Sequence, residues 1–458
     1  MSVERRIDTA TYPDGEFQNY EIVSGFSWDD ISFVSGHCTA EAVGALARLY
    51  ETFIIPKAPD SYGTLCFCHV PEDIDLPSMF LPKTPDGIFY DRQALAAYHV
   101  SNLIASGGVF VRDGLPVSSD PSVDAFLSRL SSGGWLVLVE GEADSLQFLP
   151  ISSQMDFPSR IEASHHSVTG VPSVVCNAHF FLMEVSDRES PYDVLGTPYG
   201  LALKDGVVTQ PPLNHREALL VDRQGRAMIG YPELTELCVV IDGKEYRHGL
   251  NCMIYSRPEC RLTPSCDGTA LLVVNDRVVA LKPGGSALVP MAGFIIQTDD
   301  SVDVTDVSVR YRGMEALKFG VQVGPAMVDD GTMIDYFRCP FYQGDGVAYP
   351  PTVFSLPYES VPAARMSVGE RGGMPLLIWA EGASKLGYRK GEESSGSVLS
   401  RFARYCTEIG VQNLVNLDGG GSAQIVSDGR RLLKISDRRP GTNRECERPV
   451  PICLLISK

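Results

Sequence analysis

The 458-residue chain contains no apolar run approaching the roughly 18 residues of a membrane-spanning helix, so no membrane association is expected. Basic residues are scarce. Thirty-nine Lys and Arg stand against 57 Asp and Glu, a formal charge of −18, which argues against nucleic acid or an anionic surface as the main partner. Twelve cysteines lack the paired spacing of a disulfide framework and suit scattered reduced thiols. Metal ligands are equally sparse: Cys66-Phe67-Cys68-His69 has no second ligand pair to close a tetrahedral site. His165, His166 and His215 are possible metal ligands, but the adjacent pair would point to opposite faces of a strand, and Asp329-Asp330 could bind a cation or equally form a polar turn. Neither metal nor cofactor is therefore expected. The start, Met1 to Asp8, has no apolar signal core, which predicts a cytoplasmic protein.

What is present is a globular composition, 44% hydrophobic and 21% charged, long enough for two to four domains. Forty-three Gly and 31 Pro without a period imply many tight turns between short strands. The expected fold class is α+β: a mixed-sheet catalytic domain with few helices over residues 141–458, preceded by a smaller α/β module over 1–140. Apolar spacing predicts helices at 40–53, 91–105 and 397–409, the last followed by a stop signal at Gly410. Short β-type runs at 135–139, 171–176, 218–221, 271–274, 277–281 and 294–297 predict strands, with hairpin turns at 274–278 and 426–430. Residues 429–448 hold seven bases against three acids, a local excess that suggests a small anion or a solvated turn.

The most informative stretch runs from Gln412 to Val426. An apolar strand ends in Asp418, three glycines (Gly419, Gly420, Gly421) and Ser422, and an alternating strand follows. Without Cβ atoms the loop can approach a ligand and aim N–H groups at an anion; a strained hairpin turn would give the same pattern. A P-loop is excluded, because it needs Gly-Lys-Ser/Thr opening a helix.

Leu417-Asp-Gly-Gly-Gly-Ser422 resembles the signature of the phosphodiester glycosidase family. Asn177-Ala-His-Phe-Phe181 is similar to that family's Asn-Ala/Gly-Gly-Phe-Phe segment, and Tyr199-Gly200 through Asp205-Gly206 to its following hairpin. Gly324-Pro325 through Asp330-Gly331, Arg365 to Gly369, Ile378 to Gly382 and Arg448-Pro449-Val450 resemble later family elements in order. The resemblance spans about residues 145–458 and departs from the pattern at His179 and Glu381. It implies hydrolysis of a sugar 1-phosphodiester.

Residue chemistry agrees. Cleaving the C1–O bond expels a phosphate monoester, a good leaving group, so charge stabilisation outweighs general-acid help. Asp418 is the expected nucleophile or base, with Glu381 as second carboxylate. Arg365, Arg444, Arg448 and the glycine loop with Ser422 are expected on the phosphate, and Asn177 and His179 on the sugar or phosphate. A small-molecule or glycan substrate is the expected partner. Two alternatives are a phosphodiesterase that breaks the O–P bond and an inert glycan- or nucleotide-binding module.

Overall fold

The computed structural model describes the chain except residues 1–2, 52–62, 81–82, 85–86, 134–135, 140–145, 184, 186–187, 258, 335–360, 384–387 and 440–441. Three antiparallel sheets meet at its centre. The largest orders its strands as Glu4–Thr11, Phe17–Ser24, Met374–Ala380, Arg365–Arg371, Asn413–Asn416, Ala326–Asp329 and Thr332–Met333. A four-stranded sheet holds Ile425–Ser427, Ser173–Asn177, Cys453–Ser457 and Ile31–Val34, and a five-stranded one is built over 202–230 and 317–321.

Period-two alternation explains why the strand Met374–Ala380 is apolar on both faces. Leu377 and Trp379 point into the shared core with Val174, Phe319, Met366 and Val415. Leu376, Ile378 and Ala380 point the other way, onto a helix. That helix, Leu399–Glu408, lays Leu399, Phe402, Ala403 and Cys406 against the sheet and is followed by Gly410 at φ 84°. It lies where the apolar stripe predicted it.

The mixed α+β class holds: helices are few and most lie in one region of the chain. Residues on both sides of position 140 share sheets. Residues 4–34 form strands of the two sheets above, with Tyr20 to Val23 paired to Leu377 to Ala380 and Ile31 to Val34 paired to Cys453 to Ile456. The α/β region is instead an insertion after residue 34. There Leu146–Pro150 runs parallel to Thr64–Cys68, whose other neighbour is Leu136–Val139. Leu65 and Phe67 face helix Ala40–Leu49, while Cys66 and Cys68 face helices Arg92–Ala105 and Pro121–Ser132. Cys66 and Cys68 are thus buried core thiols. The ends of the expected elements at 53 and 135, and the expected boundary residues 140–141, lie outside the described residues.

Two helices were not expected, Pro121–Ser132 and Pro158–Thr169. The second carries His165 and His166, so their side chains are spaced around a helix rather than across a strand. Both expected hairpins form, turning through Asn275-Asp276 and Asp428-Gly429 with the positive φ that a type I′ turn needs.

Candidate active site

Asp418 sits at the seam between two sheets. Strand Asn413–Asn416 leaves the large sheet, Leu417 N–H bonds Met366 O at 2.8 Å, and Asp418 N–H bonds Ala178 O at 2.9 Å, just past the four-stranded sheet. Gly420–Ser422 then make a single 3₁₀ turn, and Ile425–Ser427 enters the second sheet. The two strands belong to different sheets, so this is a crossover and not a hairpin.

The glycines answer to specific neighbours. Gly420 has φ 58°, and a Cβ there would meet open space, so this residue forms the outer rim. At Gly421 a Cβ would lie 2.1 Å from Asp437 Oδ2 and 2.3 Å from an Arg448 nitrogen. An ion pair therefore packs directly on the backbone. Arg448 binds Asp437 through Nε at 3.0 Å and Nη2 at 2.9 Å, and its Nη1 donates to Ser422 Oγ at 3.3 Å. Arg448, Asp437 and Ser422 are all buried, whereas Asp418, Gly419 and Gly420 are half-buried.

Burial pushes the Asp418 carboxyl up to about 6; the Ser422 hydrogen bond, the Arg448 charge and the Gly419 N–H oppose this, and the Asp437 charge adds to it. Near neutral pH the group can be ionised yet remains a competent proton acceptor. Three of the loop amides are turned to carbonyls rather than outward as an anion nest. Gly420 N–H bonds Ala364 O at 2.8 Å, and those of Ser422 and Ala423 bond Gly419 O and Gly420 O at 3.2 Å.

Of the residues expected in the site, Asp418, Gly419, Gly420, Gly421, Ser422 and Arg448 come together. Asn177 joins them from 241 positions away, but as a brace rather than a substrate contact. Its Nδ2 donates to Asp418 O at 2.6 Å and its Oδ1 accepts from Gln424 N at 3.1 Å, which pins both ends of the loop. Arg365 passes under Gly419, with its Cδ 3.8 Å from that residue's Cβ position. Its guanidinium donates to Ser397 O at 2.8 Å and Val361 O at 2.6 Å. Backbone carbonyls thus hold the fork expected on phosphate.

Three more of the expected residues have partners of their own. Glu381 is buried, with Oε1 accepting from Lys434 N at 2.9 Å and Oε2 from Asn19 Nδ2 at 2.8 Å, so its carboxylate straps three segments together. His179 is a core histidine, its Nε2 3.0 Å from Leu201 O and its ring against Phe33; burial lowers its pKa to about 4 and keeps it neutral. Arg444 stands on an exposed turn whose backbone bonds Arg439 and Thr442. Asp437 was missed. Its one sequence signal is an acid inside the basic stretch 429–448.

Residues 267–457 match the family model described as phosphodiester glycosidase, and over that stretch the resemblance read from the sequence is borne out. No curated protein matches the chain. Among solved structures, a hypothetical protein from Synechocystis aligns with a TM-score of 0.41 and 14% identity, covering 100% of this chain. The chain spans 62% of that protein's length. The zebrafish N-acetylglucosamine-1-phosphodiester alpha-N-acetylglucosaminidase catalytic domain, auto-inhibited by its pro-peptide, aligns with a TM-score of 0.40 and 10% identity, over 100% of this chain and 83% of that one.

Proposed function

From the phosphodiester glycosidase match over residues 267–457 and the geometry at Asp418, we propose a hydrolase that cleaves the C1–O bond of a sugar 1-phosphodiester, releasing free sugar and a phosphate monoester. The observation that carries this reading is the charge of the cluster. Asp437 and Arg448 are paired with each other, Arg365 and Arg438 are bound to backbone carbonyls, and of these charged side chains Asp418 is the one at the half-buried rim. A carboxylate at that rim favours positive charge developing at an anomeric carbon. It favours phosphoryl capture much less, because the loop N–H groups of Gly420 and Ser422 already have carbonyl partners and Arg448 is held by Asp437.

Asp418, ionised, attacks the anomeric carbon or takes a proton from the attacking water; the phosphate monoester leaves without strong acid help. Ser422 orients the carboxylate, and Asn177 fixes the backbone that carries it. The substrate is a small molecule or glycan rather than nucleic acid, in keeping with the net charge of −18. We place the protein in a reducing, cytoplasmic setting, a reading supported by eleven free cysteines among the described residues, eight of them buried.

The test is turnover of a panel of sugar 1-phosphodiesters, including an N-acetylglucosamine phosphodiester and a nucleoside diphosphate sugar, by wild type and Asp418→Asn. A rate loss of roughly 10²–10⁴ in the variant is expected. Undiminished turnover in Asp418→Asn would remove that residue from the chemistry. Binding without turnover across the panel would favour an inert module.

A further inference from the structure

We propose that Asp437 is a positioning residue: it clamps Arg448 across the bare Cα of Gly421, so that the guanidinium reaches Asp418 through Ser422 and does not swing onto the Asp418 carboxylate itself. The inference rests on the reading of Asp418 as the reacting carboxylate. The geometry is specific. Arg448 offers Nε and Nη2 to the two Asp437 oxygens, at 3.0 and 3.2 Å, which fixes the plane of the guanidinium. Nη1, the remaining arm, then points at Ser422 Oγ, 3.3 Å away, with Met183 Sδ at 3.5 Å on its other side.

Gly421 is required by this arrangement, because any side chain there would occupy the position of the pair. Arg448 and Asp437 are the charges that act on Asp418, with Arg365 under Gly419 and Arg438 on Asp437 O packed around them, and Ser422, Asn177 and the Gly419 N–H are its neutral partners. A guanidinium released from Asp437 would be free to turn to Asp418, on which its charge already acts, and would hold that group as an inert ion pair. The clamp keeps the positive charge close enough to steady Asp418 and too constrained to quench it.

The consequence is a pair of opposite shifts. Asp437→Asn removes a negative charge and frees Arg448, so Asp418 should titrate lower by roughly one pH unit. Gly421→Ala forces the pair away from Ser422, so Asp418 should titrate higher by a similar amount. A change that merely loosened the fold would not move the two variants in opposite directions.

The measurement is the Asp418 carboxyl titration by ¹³C NMR on the full chain labelled at aspartate Cγ, assigned with Asp418→Asn. It needs no substrate, so it can fail while the glycosidase reading stands, and turnover on the substrate panel can fail while the clamp stands. Shifts of opposite sign in the two variants support the proposal. An unchanged midpoint in either folded variant, or shifts of the same sign, overturn it. If Asp437→Asn does not fold, the Gly421→Ala titration decides alone, because that methyl meets only side-chain ends, which can move.

Discussion

Asp418 places opposite demands on folding and on chemistry. Its folded pKa of about 6 lies above the ordinary 3.8, so between those values the folded chain holds a proton that the unfolded chain has released. Stability contributed by the neutral form is therefore present at low pH and lost as pH rises through this window, by roughly 3 kcal/mol. Asp418→Asn should be more stable than wild type at pH 8, with the difference fading towards pH 4. Urea unfolding at the two pH values checks it, and equal stability at pH 8 would contradict the burial argument. Turnover should move the other way, rising through about pH 6 as the carboxylate ionises. Asp418 and its glycines were legible in the sequence because their signature is local. Asp437 was not, because its partner is fixed by how the 429–448 segment folds back on Gly421, and composition shows only the bases.

At the scale of elements, the sequence was most informative where one periodicity dominated. The helix Leu399–Glu408 has a single apolar stripe and was anticipated; the helix Pro158–Thr169 buries only Pro158, Ile161 and Glu162, and gave no stripe to read. Phe402 is fully buried against the large sheet, so Phe402→Ala should cost roughly 3–5 kcal/mol in a chemical melt without altering the pH profile of turnover. Glu381 teaches the complementary lesson. A carboxylate at a strand end reads as catalytic, yet the structure gives it partners, Asn19 and Lys434, that lie far away in sequence and leave no local trace. Glu381→Gln should lower the melting temperature while leaving turnover per folded molecule unchanged. A large fall in turnover with no loss of stability would restore Glu381 to the chemistry.

On the scale of the whole molecule, the first strands share sheets with the last third of the chain, a relation hidden from the sequence because strand pairing across more than 350 residues leaves no local trace. Removing residues 1–24 would strip Phe17–Ser24 from the strand Met374–Ala380 and take Tyr20 from its stack on Tyr405 and Phe402. The truncated chain should therefore be insoluble or unfolded by circular dichroism; a folded, active truncation would contradict this architecture. The central claim is that water attacks carbon under the influence of Asp418. Its most direct test is hydrolysis of an N-acetylglucosamine phosphodiester in ¹⁸O-water, with mass analysis of both products, with and without chelator. The account predicts the label on the sugar's anomeric hydroxyl in both conditions. Label in the released phosphate would contradict it and assign the protein to O–P cleavage.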